Sequence, residues 1–274
     1  MPQPLGPHRL VSLLPALLAW LSLMGLASMS PAVATDASHF SHDDWATVLE
    51  RSVDARGFVD YDGLAQDRAA LDRYLEAVEQ QGPTSTPELF PTEEDELAYY
   101  LNAYNALVFA GVLERGPERD SVWKGGLISG YRFFVKRKWE VDGKRLSLKR
   151  LEDVLIREGF GDPRIHAALN CASISCPRLP QEPFLPATLE TQLDAAMTEF
   201  VSEERNVEIG RDTVTVSKIF DWFKGDFVDY EKRNGGSGLI SYINRYRGEQ
   251  EKIPSSFDIE FFRYDKGVNA QRRD

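Results

Sequence analysis

From residue 41 onward the apolar positions fall into helical spacing, alternate briefly, and turn helical again. Ser41 caps a predicted first helix reaching about Ala55, with Trp45, Val48, Leu49 and Val53 on one face. Gly57 to Tyr61 reads as a short extended segment and Leu64 to Gln80 as a second helix. Gly82-Pro83 and Pro87 punctuate the loop after it. Thr92 suits an N-cap, and Glu93, Glu94 and Asp95 suit the positive end of the helix it opens. That helix runs to about Arg115, stops at Gly116-Pro117, and carries Leu97, Leu101, Tyr104, Val108 and Val112 as a stripe. Trp139–Val141 and Leu146–Leu148 alternate around Asp142-Gly143, a type I′ hairpin signal. A helix follows from Leu148 to Glu158, ended by Gly159, and Arg164 to Leu169 reads as a strand.

Pro177, Pro180, Pro183 and Pro186 keep the next stretch non-helical. Thr188 to Glu204 is a long amphipathic helix, and Val207 to Val216 a second hairpin. Residues 218–231 and 238–247 are helical, with a last strand at Ile259 to Tyr264. Helices and hairpins mix without strict strand–helix alternation. The class this predicts is α+β: one domain, its helices packed on a small, mostly antiparallel sheet with hairpins.

The N-terminus follows another pattern. Arg9 precedes an apolar run from Leu10 to Ala27, broken once by Pro15, and Ala32-Val33-Ala34 fits a small-x-small cleavage site. Residues 1–34 therefore read as a cleaved signal peptide, leaving 35–274 as a single domain in the periplasm or secreted. The run nears the minimum spanning length, but Pro15 and the cleavage site favour removal over a retained anchor. After cleavage no stretch is apolar for long enough to cross a membrane. The whole chain carries a net charge of −11, and removing Arg9 with the leader makes it −12. Such a balance argues against nucleic acid, which needs clustered Lys and Arg to neutralise phosphates.

Chemistry is concentrated in Ile165 to Pro177, which holds both cysteines and the one histidine beyond residue 42. Three readings compete. In an oxidising compartment Cys171 and Cys176, with four residues between them, form a disulfide that shapes a turn. Alternatively Cys171 is a nucleophile, His166 its base, and Asn170 the residue that orients the ring. On a continuous strand His166 and Cys171 would face opposite ways, so that reading requires a turn, placed at Asn170. A zinc site from His166, Cys171 and Cys176 lacks a fourth ligand, so no metal and no cofactor is predicted. Ser173 and Ser175 lie in no nucleophile elbow and suit bonding to their own loop, with Ser173 near enough to contribute to binding.

Asn102 and Asn105 sit three apart inside a strong helix, where asparagine is a poor choice. Either their amides satisfy buried backbone, or they line a cleft beside Cys171 and hold a developing oxyanion. Ile219 to Phe227 spaces Phe220, Phe223 and Phe227 as a core stripe. Asp221 and Asp226 flank it as two candidate partners for His166.

Leu101-Asn102-Ala103-Tyr104-Asn105, His166 to Ser173, Ser175-Cys176-Pro177 and Ser217 to Trp222 together resemble the exported bacterial members of the DUF547 family, across roughly residues 45–266. Where the family tends to show an aromatic after its Tyr-Asp pair, Tyr264-Asp265 is followed here by Lys266-Gly267. The resemblance carries no established activity. Two functions are therefore expected in competition. One is a thiol-dependent hydrolase or acyltransferase using Cys171 and His166. The other is a non-catalytic envelope binding or assembly module with Cys171 and Cys176 bridged. The partner would be a small polar or peptide ligand, or an envelope protein.

Overall fold

Helix α4, Glu93–Glu114, is the centre of the architecture. Its start is fixed by a capping box: Asp95 N–H donates to Thr92 Oγ1 (3.2 Å) and Thr92 N–H to Asp95 Oδ2 (3.1 Å). Every residue from Leu97 to Leu113 is buried, so the expected stripe is one side of a helix enclosed on all sides. Small residues on its flanks permit that enclosure; a Cβ on Gly111 would lie 2.8 Å from the Phe133 ring. The computed structural model describes residues 39–115, 121–122 and 130–271, which belong to one compact unit. The expected signal peptide lies outside the described residues.

Around α4 pack α1 (Asp43–Ser52), α2 (Tyr61–Gln66) and α3 (Ala69–Gln80). The second helix expected from Leu64 to Gln80 is thus two helices. Asp60 caps the first through Gly63 N–H, and the chain leaves helical geometry at Asp67 before α3 begins. Strands β1 (Trp139–Val141) and β2 (Lys144–Leu146) form the expected hairpin. Asp142 and Gly143 both have positive φ, 54° and 67°, as a type I′ turn requires. The Asp142 carboxylate also accepts the N–H groups of Thr84 and Ser85, tying the hairpin to the loop after α3.

Beyond the hairpin the chain runs through α5 (Leu148–Arg150), a π-helical Leu151–Arg157 and α6 (Glu158–Phe160). It ends at Gly161, whose φ of +64° makes it the left-handed cap, two residues later than Gly159. A second core forms where α8 (Leu189–Ser202), α10 (Lys224–Arg233) and α11 (Leu239–Arg245) meet a three-stranded sheet. In it β3 (Val207–Ile209) pairs antiparallel with β4 (Thr213–Val216), and β4 pairs parallel with β5 (Asp258–Phe261). Between β4 and α10 lies α9, Lys218–Trp222; the expected helix 218–231 breaks at Phe223. The α+β class with small sheets and hairpins holds. Among the described residues, no helix is long and apolar enough to cross a membrane.

Candidate active site around the Cys171–Cys176 disulfide

Arg164 to Leu169 is not the expected strand. Ile165–Ala168 is a single helical turn, α7. Asp162-Pro163 starts it: Asp162 Oδ1 accepts Arg164 N–H (2.8 Å), and Pro163 brings a φ already suited to a first helical turn. Leu169 then leaves in an extended conformation, and the chain reverses through the cysteine loop. The turn removes the objection that His166 and Cys171 must face apart, because both line one cavity of about 180 Å³.

Asn170 builds the loop rather than orienting His166. Its Oδ1 accepts Ala172 N–H (2.8 Å) and Asn269 Nδ2 (3.2 Å), while its Nδ2 donates to the Pro177 carbonyl (2.7 Å). Ala172, fully buried, takes φ +60°. A non-glycine residue is held there only when its surroundings over-determine it. Here Asn170 Oδ1 receives its N–H and Asn269 N–H donates to its carbonyl.

Cys171 and Cys176 are joined as a disulfide, their Cα atoms 6.2 Å apart. Cys171 N–H donates to Cys176 Sγ (3.0 Å), and the Tyr264 hydroxyl lies 3.1 Å from both sulfurs. Disulfide sulfur carries no proton, so that hydroxyl is the donor. Ser173, fully buried, holds its Oγ 3.6 Å from Cys171 Sγ.

Asn102 and Asn105 do not reach the cavity. Asn102 donates to the Phe184 carbonyl (2.7 Å) and accepts Phe184 N–H (3.0 Å). Asn105 does the same across the cysteine loop, donating to Ala168 O (3.0 Å) and accepting Asn170 N–H (2.9 Å). Each amide imitates a peptide partner for a buried segment, so both are committed to backbone and neither lines the cavity where an oxyanion would form.

Of the two acidic residues flanking the aromatic cluster, the structure selects Asp226. Its Oδ2 lies 2.8 Å from His166 Nε2, and Arg157 clamps both of its oxygens (2.9 and 3.1 Å). Asp221 pairs instead with Lys218. Burial opposes the charge on Asp226, but the bonds from His166 and Arg157 outweigh it and hold the carboxyl well below the usual range. Burial dominates at His166 and lowers its pKa against the pull of Asp226, so the ring is neutral at pH 7 and available as a base. The ring stacks on Phe223, 4.1 Å between centroids.

Tyr104, Glu152, Trp222 and Tyr264 are among the further residues that line the cavity. Glu152 enters from the π-helical segment and accepts from the Tyr104 hydroxyl (3.2 Å). Burial, then the neighbouring Asp153 charge, pushes its pKa up to about 7. Trp222, half exposed, stands at the rim with its ring 4.7 Å from that of Tyr264. Nothing in local spacing marks Glu152 or Tyr264: they are distant in sequence and meet only through the fold. Trp222 was legible as part of an aromatic cluster, but not as its exposed member.

Residues 89–201 match the family model DUF547, described as a protein of unknown function. That segment contains α4, the hairpin, the π-helical run, His166 and both cysteines. Trp222, Phe223, Asp226 and Tyr264, which close the site, lie beyond it. No curated protein and no solved structure matches the chain.

Proposed function

We propose that this DUF547-matching chain carries a thiol centre in which Cys171 is the reacting atom and the disulfide is its resting, masked form. When the bond is reduced, His166 takes the Cys171 proton and the sulfur attacks an acyl or amide carbon. The leaving group departs with that proton, and water or a second nucleophile releases the acyl group. The observation carrying this reading is the His166–Asp226 pair, 2.8 Å apart and braced by Arg157, beside the pocket that Cys171 lines. A base oriented by a carboxylate is the arrangement that such chemistry needs. The Tyr264 hydroxyl, 3.1 Å from Cys171 Sγ, stands where Asn102 and Asn105 were expected to serve as oxyanion donors. Substrates would be small acylated molecules or envelope peptides, met in the periplasm or outside the cell after signal cleavage.

The test is esterase and thioesterase activity of the reduced chain, with p-nitrophenyl acetate and a short acyl thioester as probes. Cys171→Ser should abolish turnover, and His166→Gln should lower it about 10²- to 10⁴-fold. Asp226→Asn should lie between. Reduced protein in which His166→Gln changes neither turnover nor the rate of Cys171 alkylation would end the proposal. A second reading, a non-catalytic binding or assembly module, is favoured by the closed bond and by the structural use of both asparagines. It would gain if the bridge resisted mild reductant and no probe were turned over.

A further inference from the structure

The two sulfurs of the closed disulfide are not equivalent. Both line the cavity, but Cys171 is partly exposed whereas Cys176 is only 2 % exposed. Cys176 already accepts the Cys171 N–H (3.0 Å), and the Tyr264 hydroxyl, 3.1 Å from either sulfur, can donate to whichever one leaves. Thiol–disulfide exchange goes by attack of a thiolate on one sulfur while the other leaves with the electron pair. The accessible sulfur is attacked, and the better-stabilised thiolate departs. Both preferences point the same way in this loop.

We propose that the oxidised pocket is itself a reaction site for a thiol, whose sulfur bonds to Cys171 while Cys176 leaves as a thiolate held by the Cys171 N–H and the Tyr264 hydroxyl. The incoming thiol gives its proton to Glu152, which lines the same cavity and titrates near neutrality. The new sulfur–sulfur bond forms at Cys171 Sγ as the Cys171–Cys176 bond breaks. A second thiol then gives its proton to the Cys176 thiolate, attacks the outer sulfur of the mixed disulfide, and releases an external disulfide and the Cys171 thiolate. Two thiols are oxidised and one protein disulfide is reduced. A cavity of about 180 Å³ admits a cysteine-sized group and little more, and Trp222 at its rim offers an apolar surface to whatever carries that group. The shared chemistry is a thiol, borne by a free small molecule or by a cysteine of a polypeptide. Exchange needs neither His166 nor Asp226, so it stands or falls apart from acyl transfer.

The oxidised full-length chain is mixed with free cysteine in one arm and with a reduced ten-residue peptide carrying one cysteine in the other. Both are quenched with acid and N-ethylmaleimide and mapped by mass spectrometry. The mixed disulfide should sit on Cys171 and maleimide on Cys176, with at least about tenfold preference over the reverse. Faster reaction of free cysteine identifies a small thiol as substrate, and faster reaction of the peptide identifies a polypeptide one. Tyr264→Phe, losing one of two donors to the leaving sulfur, should slow opening about five- to tenfold. As a readout that packing alone would not move, thiolate absorbance of Cys176 in Cys171→Ser should titrate below the ordinary thiol range, and adding Tyr264→Phe should raise it. His166→Gln should leave exchange running while acyl transfer falls about 10²- to 10⁴-fold. Adducts on Cys176, an even distribution, or exchange no faster than in the oxidised synthetic peptide 170–177 would overturn the proposal.

Discussion

The imidazole of His42 is neutral at pH 7, and its neighbours decide which nitrogen carries the proton. Asn102 is oriented by its two bonds to Phe184, so its Nδ2 can only donate to His42 Nδ1 (3.2 Å); the Tyr74 hydroxyl meets the same nitrogen at 2.9 Å. The proton therefore sits on Nε2, and Nδ1 has no room to accept another. Burial lowers the pKa to about 4, against the opposing charges of Asp43 and Asp95. Between the unfolded value near 6.5 and this folded value, the unfolded chain binds more protons than the fold does. Stability from His42 is complete above about pH 6.5 and falls by about 3 kcal/mol as pH drops to 4. Glu152 slopes the other way, since a carboxyl raised to about 7 costs stability as pH rises from its ordinary value. The expected result is thus a difference: His42→Gln should lose the acid-side decline that wild type shows in urea melts at pH 7, 6, 5 and 4. Parallel curves for the two proteins would refute the assignment.

At the level of elements, α4 both fills the core and stands in for absent strands. Asn105 reaches from it to Ala168 and Asn170, the two ends of the extended link between His166 and the cysteine loop. Replacing it by alanine leaves one buried carbonyl and one buried N–H without partners, at roughly 1–3 kcal/mol each. Asn105→Ala should therefore cost about 2–6 kcal/mol in denaturant unfolding, and the loosened loop should make Cys171 easier to reduce. A loss under about 0.5 kcal/mol, the size of an ordinary surface change, would contradict this role. This helix was also the most legible element of the sequence. Thr92, the acidic first turn and the apolar stripe predicted its limits within a residue, and the misplaced-looking asparagines marked where something buried needed partners. Arg164 to Leu169 was misread because a short, mostly apolar segment does not distinguish a strand from a buried helical turn. Asp162-Pro163 at its head was the deciding signal. Asp226 was narrowed to one of two candidates, since choosing between them depended on Arg157 in another helix.

Across the whole molecule, the last described residues close the cysteine loop onto the N-terminal helices. Asp265 and Gly267 carbonyls accept the N–H groups of Ser175 and Ile174, and Asn269 N–H donates to Ala172 O. The Asn269 side chain accepts from Tyr61 (3.0 Å) and donates to Asn170 (3.2 Å), while its carbonyl accepts Val59 N–H. Gly267 explains a feature of this end of the chain: a Cβ there would lie 2.9 Å from Ile174 Cδ1, so a small residue lets the segment run against the loop. One buried asparagine therefore couples residues 208 positions apart to the turn that sets the disulfide's surroundings. Cutting that tie should act on the site at a distance. Asn269→Ala removes two buried side-chain bonds and should cost about 1–3 kcal/mol. Amide exchange should rise at Ala172 and Ile174, where the strap is lost, and stay unchanged along α11, which rests on the other core. Faster exchange everywhere would instead mean that the segment supports global stability alone. The loop-specific pattern would show that the surroundings of Cys171 and Tyr264 are assembled by the segment around Asn269 closing on Val59 and Tyr61.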